Sequence, residues 1–314
     1  MKRPLIILTG PTAVGKTALS IGLAKAVAGE IISADSMQVY KGMDIGSAKI
    51  KPEQMDGIKH HLIDILSPEE EFNVMVFKQK CMEAMEDIYA AGHIPILTGG
   101  TGFYIQAVLY DIDFTDEDNS EIRVRLETMA AMPDGPLKLH ARLQEVDPVS
   151  AETIHANNVK RVIRALEFFE LNNSPISKHN ETEKQKESAY NSAYFVLNDE
   201  RNLLYERIDQ RVDEMFKEGL VKEVQTLKDK GFYRSMVSMQ GLGYKEVLDY
   251  LDGEISLEEA SYLIKRDTRH FAKRQLTWFR REKDVIWVNK PQFGYKDEDI
   301  LAFMLEELKQ RGII

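Results

Sequence analysis

The octapeptide Gly10-Pro11-Thr12-Ala13-Val14-Gly15-Lys16-Thr17 leaves few folds open to this chain. It has the form G-x-x-x-x-G-K-T, and its flanks are as telling as its letters. The apolar run Leu5-Ile6-Ile7-Leu8 before it suits a buried strand, and Ala18 to Ala24 after it suits a helix. Glycines at the first and sixth positions admit backbone conformations closed to other residues. Successive N–H groups can then point into one concavity at a helix start, where they and the helix dipole bind anions. Lys16 adds a point charge for phosphate oxygens and Thr17 a hydroxyl for Mg²⁺. The fold expected is α/β: a P-loop NTPase-like parallel sheet flanked by helices, with a helical insertion domain. The loop announces phosphates without saying whether they are transferred, hydrolysed or lost as a leaving group.

Composition narrows the setting. A chain of 314 residues suits two domains or one large domain with an insertion. Its single cysteine, Cys81, cannot close an intrachain disulfide, which fits a reducing cytoplasm. No apolar run approaches a membrane span, and the first strand follows Met1 too closely to be a secretory signal. A net charge of −10 argues against whole-surface nucleic-acid binding but leaves room for a local basic groove.

A second strand, Glu30 to Ala34, ends in Asp35-Ser36-Met37-Gln38-Val39-Tyr40. Ligands in open α/β sheets lie beyond the carboxyl ends of the strands, so Asp35 is expected to face the same crevice as the glycine loop. It is either a turn residue or helix cap, or else a general base or a partner for Mg²⁺ and its waters. The stretch His60 to Ile65 reads as a further strand, whose adjacent histidines point to opposite faces and make poor joint metal ligands. Residues 73–91 carry a helical pattern, and Ile94-Pro95-Ile96-Leu97 a buried strand. That strand ends in Gly99-Gly100-Thr101-Gly102, a second glycine wall with Thr101 as its hydroxyl.

The character changes after residue 114. An acidic, turn-like stretch from Asp111 to Glu121 leads to helical patterns at 121–131, 136–145 and 158–171. A polar run over 172–191 then reads as a mobile exit. Three segments follow: 1–114 as the first part of the core, 115–192 as the insertion, and 193–314 as the second part of the core with basic C-terminal helices. Lys160, Arg161 and Arg164 lie on one side of the third helix, where a solvated face is the usual explanation. Arg207 and Arg211 share a later helix face and could reach a diphosphate or pair with Glu206, Asp209 and Asp213.

The last long helix, about 256–283, holds eight basic and two acidic residues between Lys265 and Lys283. At 100° per residue, Leu257, Ala260, Ile264, Phe271 and Trp278 share one arc, and Lys265, Arg269, Lys273 and Arg280 another, with Tyr262 among them. A basic stripe with an aromatic in it suits phosphate contact and base stacking; a solvated surface helix is the plainer alternative.

Taken in order, the glycine loop, Asp35 to Tyr40, Gly42 to Lys49, Gly99 to Tyr104 and Lys273 to Arg280 make nearly the whole chain resemble the bacterial tRNA dimethylallyltransferases, also called tRNA isopentenyltransferases. Phe103 stands where leucine is more frequent in the family, a conservative exchange. The resemblance implies transfer of a dimethylallyl group from dimethylallyl diphosphate to N6 of adenosine 37 in tRNA, with Mg²⁺ as cofactor. It implies that the insertion grips the anticodon stem-loop of the tRNA. It also makes Asp35 the base at N6 and puts Thr101 at the reaction centre. Ser36, Met37, Gln38, Arg123, Lys160, Arg161, Arg164, Gln240, Gly243, Tyr244, Lys273, Arg274, Gln275, Trp278 and Arg280 become RNA contacts. In that reaction negative charge grows on the departing diphosphate, where the loop amides, Lys16, Mg²⁺ on Thr17, and Arg207 or Arg211 would meet it. The flipped base would be received by Tyr40 or Tyr104. A monomer without membrane attachment is expected. Two other readings share the glycine loop: a nucleoside or small-molecule kinase using ATP, and a nucleotide-gated RNA-binding module.

Overall fold

The computed structural model describes residues 2–114 and 120–314. They divide into two compact units: Met1–Asp111 together with Ser188–Ile314, and Ile112–Glu187. The expected turn from Asp111 to Glu121, and the expected boundary after residue 114, fall partly on residues 115–119, outside the described residues.

In the first unit, β1 (Pro4–Thr9), α1 (Lys16–Val27), β2 (Gly29–Ala34), β3 (His60–His61), α2 (Val74–Ala90), β4 (Ile94–Gly99) and α3 (Gly102–Leu109) come before the helical unit. That unit holds α4 (Ser120–Ala130), α5 (Gly135–Val146), α6 (Pro148–Thr153), α7 (Val159–Asn172) and α8 (Ile176–Gln185). The chain then returns as β5 (Asn191–Asn198), α9 (Arg201–Glu218), α10 (Leu220–Asp229), α11 (Tyr244–Leu251), α12 (Leu257–Phe279), β6 (Val285–Asn289) and α13 (Asp297–Gln310).

The six strands form one parallel sheet in the order β3-β2-β4-β1-β5-β6. Strand β1 shows why its sequence is apolar at every position rather than at every second one. Leu5 and Ile7 enter the core on one face with α2, α3 and α11, while Ile6 and Leu8 enter the core on the other face with α1 and α13. A strand buried on both faces cannot alternate with polar residues. The register pairs Thr9 with Gly99 and Val196, Ala34 with Gly99, and Asn198 with Asn289. The strands therefore end nearly level, and the residues that follow them share one edge.

Two expectations need correction. The strand expected over His60 to Ile65 stops at His61, because Leu62 and Asp64 take left-handed backbone conformations (φ 63° and 53°). Asp64 instead turns its carboxylate to Lys49 Nζ at 2.5 Å. The polar run over 172–191 is not a free exit. Helix α8 occupies its middle, and Ser177 ties it to Asp147 through both its backbone N–H (3.0 Å) and its hydroxyl (2.7 Å).

Within the helical unit, Leu126, Leu139, Leu143, Val162, Ile163 and Leu166 make a separate core. Glu167 is buried beside it and receives Arg123 in a two-point contact at 2.9 and 2.8 Å, with Arg164 at 3.3 Å. A buried carboxylate needs such partners.

Candidate active site

The phosphate loop closes as its glycines require. Gly10 (φ 145°) and Gly15 (φ 97°) are both left-handed, and a Cβ on Gly10 would lie 2.5 Å from the Leu197 carbonyl oxygen. Gly15 is the residue before α1, so the helix opens directly on the loop. Lys16 folds its ammonium back onto the carbonyls of Gly10 (2.9 Å) and Pro11 (2.8 Å). Burial lowers its pKa to about 7, the Arg211 guanidinium pushes the same way, and Asp35 opposes both.

Asp35 faces the same crevice, as its place after β2 implies. Its Oδ1 accepts the N–H groups of Met37 (2.8 Å) and Gln38 (3.3 Å), so the turn-cap reading is correct for that oxygen. Among the described residues, nothing donates to Oδ2. Burial raises the carboxyl pKa above the ordinary Asp value, against the pull of the two N–H groups and Lys16. One carboxylate thus holds its turn with one oxygen and keeps the other available.

The second glycine loop is knitted to both neighbours. The Thr9 hydroxyl donates to Gly99 O at 2.6 Å, and Thr101 N–H donates to Ala34 O at 3.3 Å. That last bond sets Thr101 beside the residue preceding Asp35. Thr101 stands before α3 with a hydroxyl that caps nothing. Phosphate loop, carboxylate and hydroxyl therefore line adjacent strand ends.

The two arginines of α9 separate. Arg207 is committed to the buried Asp199, not to Glu206, Asp209 or Asp213. Arg211 makes no ion pair among the described residues, although burial lowers its pKa and only Glu214 offers a countering charge. It bears on Lys16, which places it toward the phosphate loop.

Part of the basic stripe on α12 is used internally. Lys265 pairs with Asp213 at 2.6 Å and Arg269 with Asp209 at 2.5 Å. Lys273, Arg274 and Arg280 remain exposed, with Arg274 over the Phe271 ring. Gln275 and Trp278 point inward. Gln275 is 6% exposed; its Nε2 donates to Gly100 O (2.9 Å) and its Oε1 accepts from Thr12 N–H (2.9 Å). The Trp278 indole lies where a Cβ on Gly102 would be, 2.2 Å from it, and meets Phe103 edge-on.

Other residues expected at an RNA surface also differ in exposure. Tyr244 is fully buried, and its hydroxyl donates to Glu223 at 2.8 Å. Glu223 meanwhile accepts the N–H groups of Asp44, Ile45 and Gly46, and so ties the loop after Tyr40 to α10. Gly243 (φ 94°) makes the turn that buries Tyr244, and Gln240 is exposed. Ser36, Met37 and Gln38 are half-buried at the crevice mouth; Gln38 accepts the Ser33 hydroxyl at 3.2 Å. Arg123 and Arg164 share Glu167, whereas Lys160 and Arg161 are exposed without ion pairs among the described residues. Tyr40 and Tyr104 are core rather than base-receiving surfaces. Both are buried against Phe72, and Tyr104 stacks on Phe77 with ring centroids 4.4 Å apart.

Sequence reasoning missed Lys290, Glu223 and the inward role of Gln275. Lys290 brings its Nζ to 3.5 Å from Val14 O, behind the phosphate loop. All three act far from the segments they hold, and no local pattern marks them.

The geometry can hold a diphosphate, receive an amine and take a proton. Comparison with known proteins identifies the family. A family model described as IPP transferase matches residues 38–282. The chain is 60% identical over 313 residues to the tRNA dimethylallyltransferase of Lachnoclostridium phytofermentans, covering 99% of each. It is 48% identical to that of Acetivibrio thermocellus, covering 98% of each. Among solved structures it is similar to the tRNA delta(2)-isopentenylpyrophosphate transferase of Staphylococcus epidermidis, with 41% identity, a TM-score of 0.73, and coverage of 99% of this chain and 100% of that one. A eukaryotic dimethylallyltransferase acting on tRNA matches with 29% identity and a TM-score of 0.76, over 91% of this chain and 74% of that one.

Proposed function

Because the chain belongs to the IPP transferase family, and so is a tRNA prenyltransferase, we propose how its own residues carry out the transfer. The dimethylallyl group passes from dimethylallyl diphosphate to N6 of adenosine 37, beside the anticodon. The C1–O bond breaks, the C1–N6 bond forms, diphosphate departs, and N6 loses a proton. The observation that carries this reading is the free Oδ2 of Asp35 in the same crevice as the phosphate loop.

The diphosphate lies in the loop. On its arrival Lys16 leaves the carbonyls of Gly10 and Pro11 and regains full charge, because an anion reverses the balance that lowers its pKa. The unpaired Arg211 meets the same anion. These groups stabilise charge where it grows as the C1–O bond loosens. Asp35 accepts the N6 proton through Oδ2 while Oδ1 stays fixed by its turn. A carboxyl pKa raised by burial makes a stronger base once ionised. The Thr101 hydroxyl orients the reacting groups. With Tyr40 and Tyr104 in the core, Phe103, exposed and edge-on to the inward Trp278, is an aromatic placed to meet the flipped base.

The residues present fit Mg²⁺. Thr17, Ser33, Gln38 and Thr98 line one small niche beside the loop whose other walls include Ile31, Ile50, Ile63 and His60, and the Thr98 hydroxyl is buried without a hydrogen-bond partner among the described residues. No cluster of three acidic, histidine or cysteine ligands exists among the described residues. Thr17 and diphosphate oxygens would hold the ion, and Ser33 and Thr98 its waters; bound there, it would neutralise charge on the leaving group. Exposed Lys273, Arg274 and Arg280 on α12, and Lys160 and Arg161 on α7, are cations available for RNA phosphates.

The test incubates the protein with Mg²⁺, unmodified tRNA and labelled dimethylallyl diphosphate. Label in RNA at adenosine 37 supports the reading. No incorporation, together with phosphate transfer from ATP to a nucleoside in a parallel reaction, would replace it with the kinase.

A further inference from the structure

Helix α12 touches both walls of the site through two side chains one turn apart. Gln275 bridges Thr12 of the phosphate loop and Gly100 of the second loop with a single amide. Trp278 seats its indole on Gly102, the first residue of α3. The fit leaves no slack: a Cβ on Gly100 would lie 2.1 Å from the Gln275 Nε2. Among the described residues, Gln275 is the one side chain that hydrogen-bonds both loops. Its removal would leave a half-buried donor on Thr12 and a buried acceptor on Gly100 unmatched. Immediately before it, Lys273 and Arg274 are exposed, and Arg280 is exposed five residues later. One helix therefore presents cations outward and the strut inward.

From this juxtaposition we infer that Gln275 is a positioning residue. It sets the gap between the phosphate loop and the Thr101 wall, and it makes the binding of RNA on α12 and of diphosphate in the loop energetically dependent on each other. Linkage requires the dependence to be reciprocal. Whatever RNA does to the seating of α12 reaches Thr12 and Gly100 through the same amide. The inference rests on the prenyl-transfer reading, and the experiment separates the two.

The full-length protein is titrated with magnesium pyrophosphate, with and without a saturating anticodon stem-loop RNA. Wild type, Gln275→Met and Gln275→Glu are compared. Met fills the space without either hydrogen bond; Glu keeps the acceptor for Thr12 and loses the donor to Gly100. In the wild type, RNA is expected to tighten pyrophosphate by roughly five-fold or more, and in Gln275→Met that factor is expected to fall to about one. RNA affinity without pyrophosphate should change by less than about two-fold, RNA affinity at saturating pyrophosphate should lose the same factor of about five, and kcat should fall by about ten-fold. A purely structural role would lower the melting temperature without moving the coupling factor. If Gln275→Met does not fold, Gln275→Glu gives the same reading from the Gly100 side alone. A wild type without coupling, or a folded variant that retains it, overturns the inference. Failure of the wild type to prenylate tRNA would instead overturn the reading beneath it.

Discussion

Lys16 offers the sharpest test of the site electrostatics. In the ligand-free protein its pKa stands at about 7, lowered first by burial and then by Arg211. Diphosphate binds the charged form, so affinity should follow the charged fraction of the free protein. That fraction is about 0.9 at pH 6 and about 0.03 at pH 8.5, so binding should weaken by about thirty-fold across this range. The sign is fixed: a depressed lysine pKa means that binding takes up a proton, and that affinity falls as pH rises above 7. Lys16→Arg keeps a charge that does not titrate, which makes it the reference for pH changes in the ligand itself. Calorimetric titration of both proteins with magnesium pyrophosphate at pH 6, 7, 8 and 8.5 gives the ratio of dissociation constants. A ratio that stays flat within about three-fold over the range would show that Lys16 is already fully charged, and that burial in the crevice does not govern it. Without ligand, the buried ammonium costs stability at neutral and acid pH, so Lys16→Met should melt a few degrees higher than wild type at pH 6.

Four further outcomes are expected. Asp35→Asn should lower kcat by about 10²–10⁴ while tRNA binding stays within a few-fold, and near-normal turnover would remove Asp35 as the base. In the wild type, the acid limb of kcat/KM should lie above the ordinary aspartate range, since burial raises that carboxyl; a limb near the usual value would show Asp35 well solvated in the free enzyme. Arg211→Met should weaken pyrophosphate, whereas Arg207→Met should leave pyrophosphate affinity alone and lower the melting temperature by freeing the buried Asp199. Lys273→Ala with Arg280→Ala should reduce the salt dependence of tRNA binding by about one to two phosphate contacts, and Lys265→Ala with Arg269→Ala should leave that slope unchanged. Equal slopes for the two double variants would mean that the ion pairs to α9 do not hold in solution.

Much of the fold is legible because its signals are local. The glycine loop, its strand and its helix lie within about 25 consecutive residues, and continuous apolar runs mark strands buried on both faces. The position of Asp35 follows from the rule that ligands gather at strand carboxyl ends, and the register of β1, β2 and β4 realises it. Errors arose where a residue type allows several uses. Helical spacing placed Lys265, Arg269, Lys273 and Arg280 on one stripe, but it could not show that Asp209 and Asp213 of another helix take two of them. Tyr40 and Tyr104 lie near glycine strands in sequence, yet Phe72 and Phe77 enclose them.

The sequence by itself pointed to a nest of amides suited to phosphates, and to one carboxylate at a strand's carboxyl end facing the same crevice. Both follow from backbone chemistry within single segments. Only the tertiary structure decided which cations stay free, which aromatics stay open, and that one glutamine from a distant helix joins the two glycine loops. Those outcomes depend on side chains far apart in the chain meeting at hydrogen-bond distance, and no periodicity within either segment encodes the meeting.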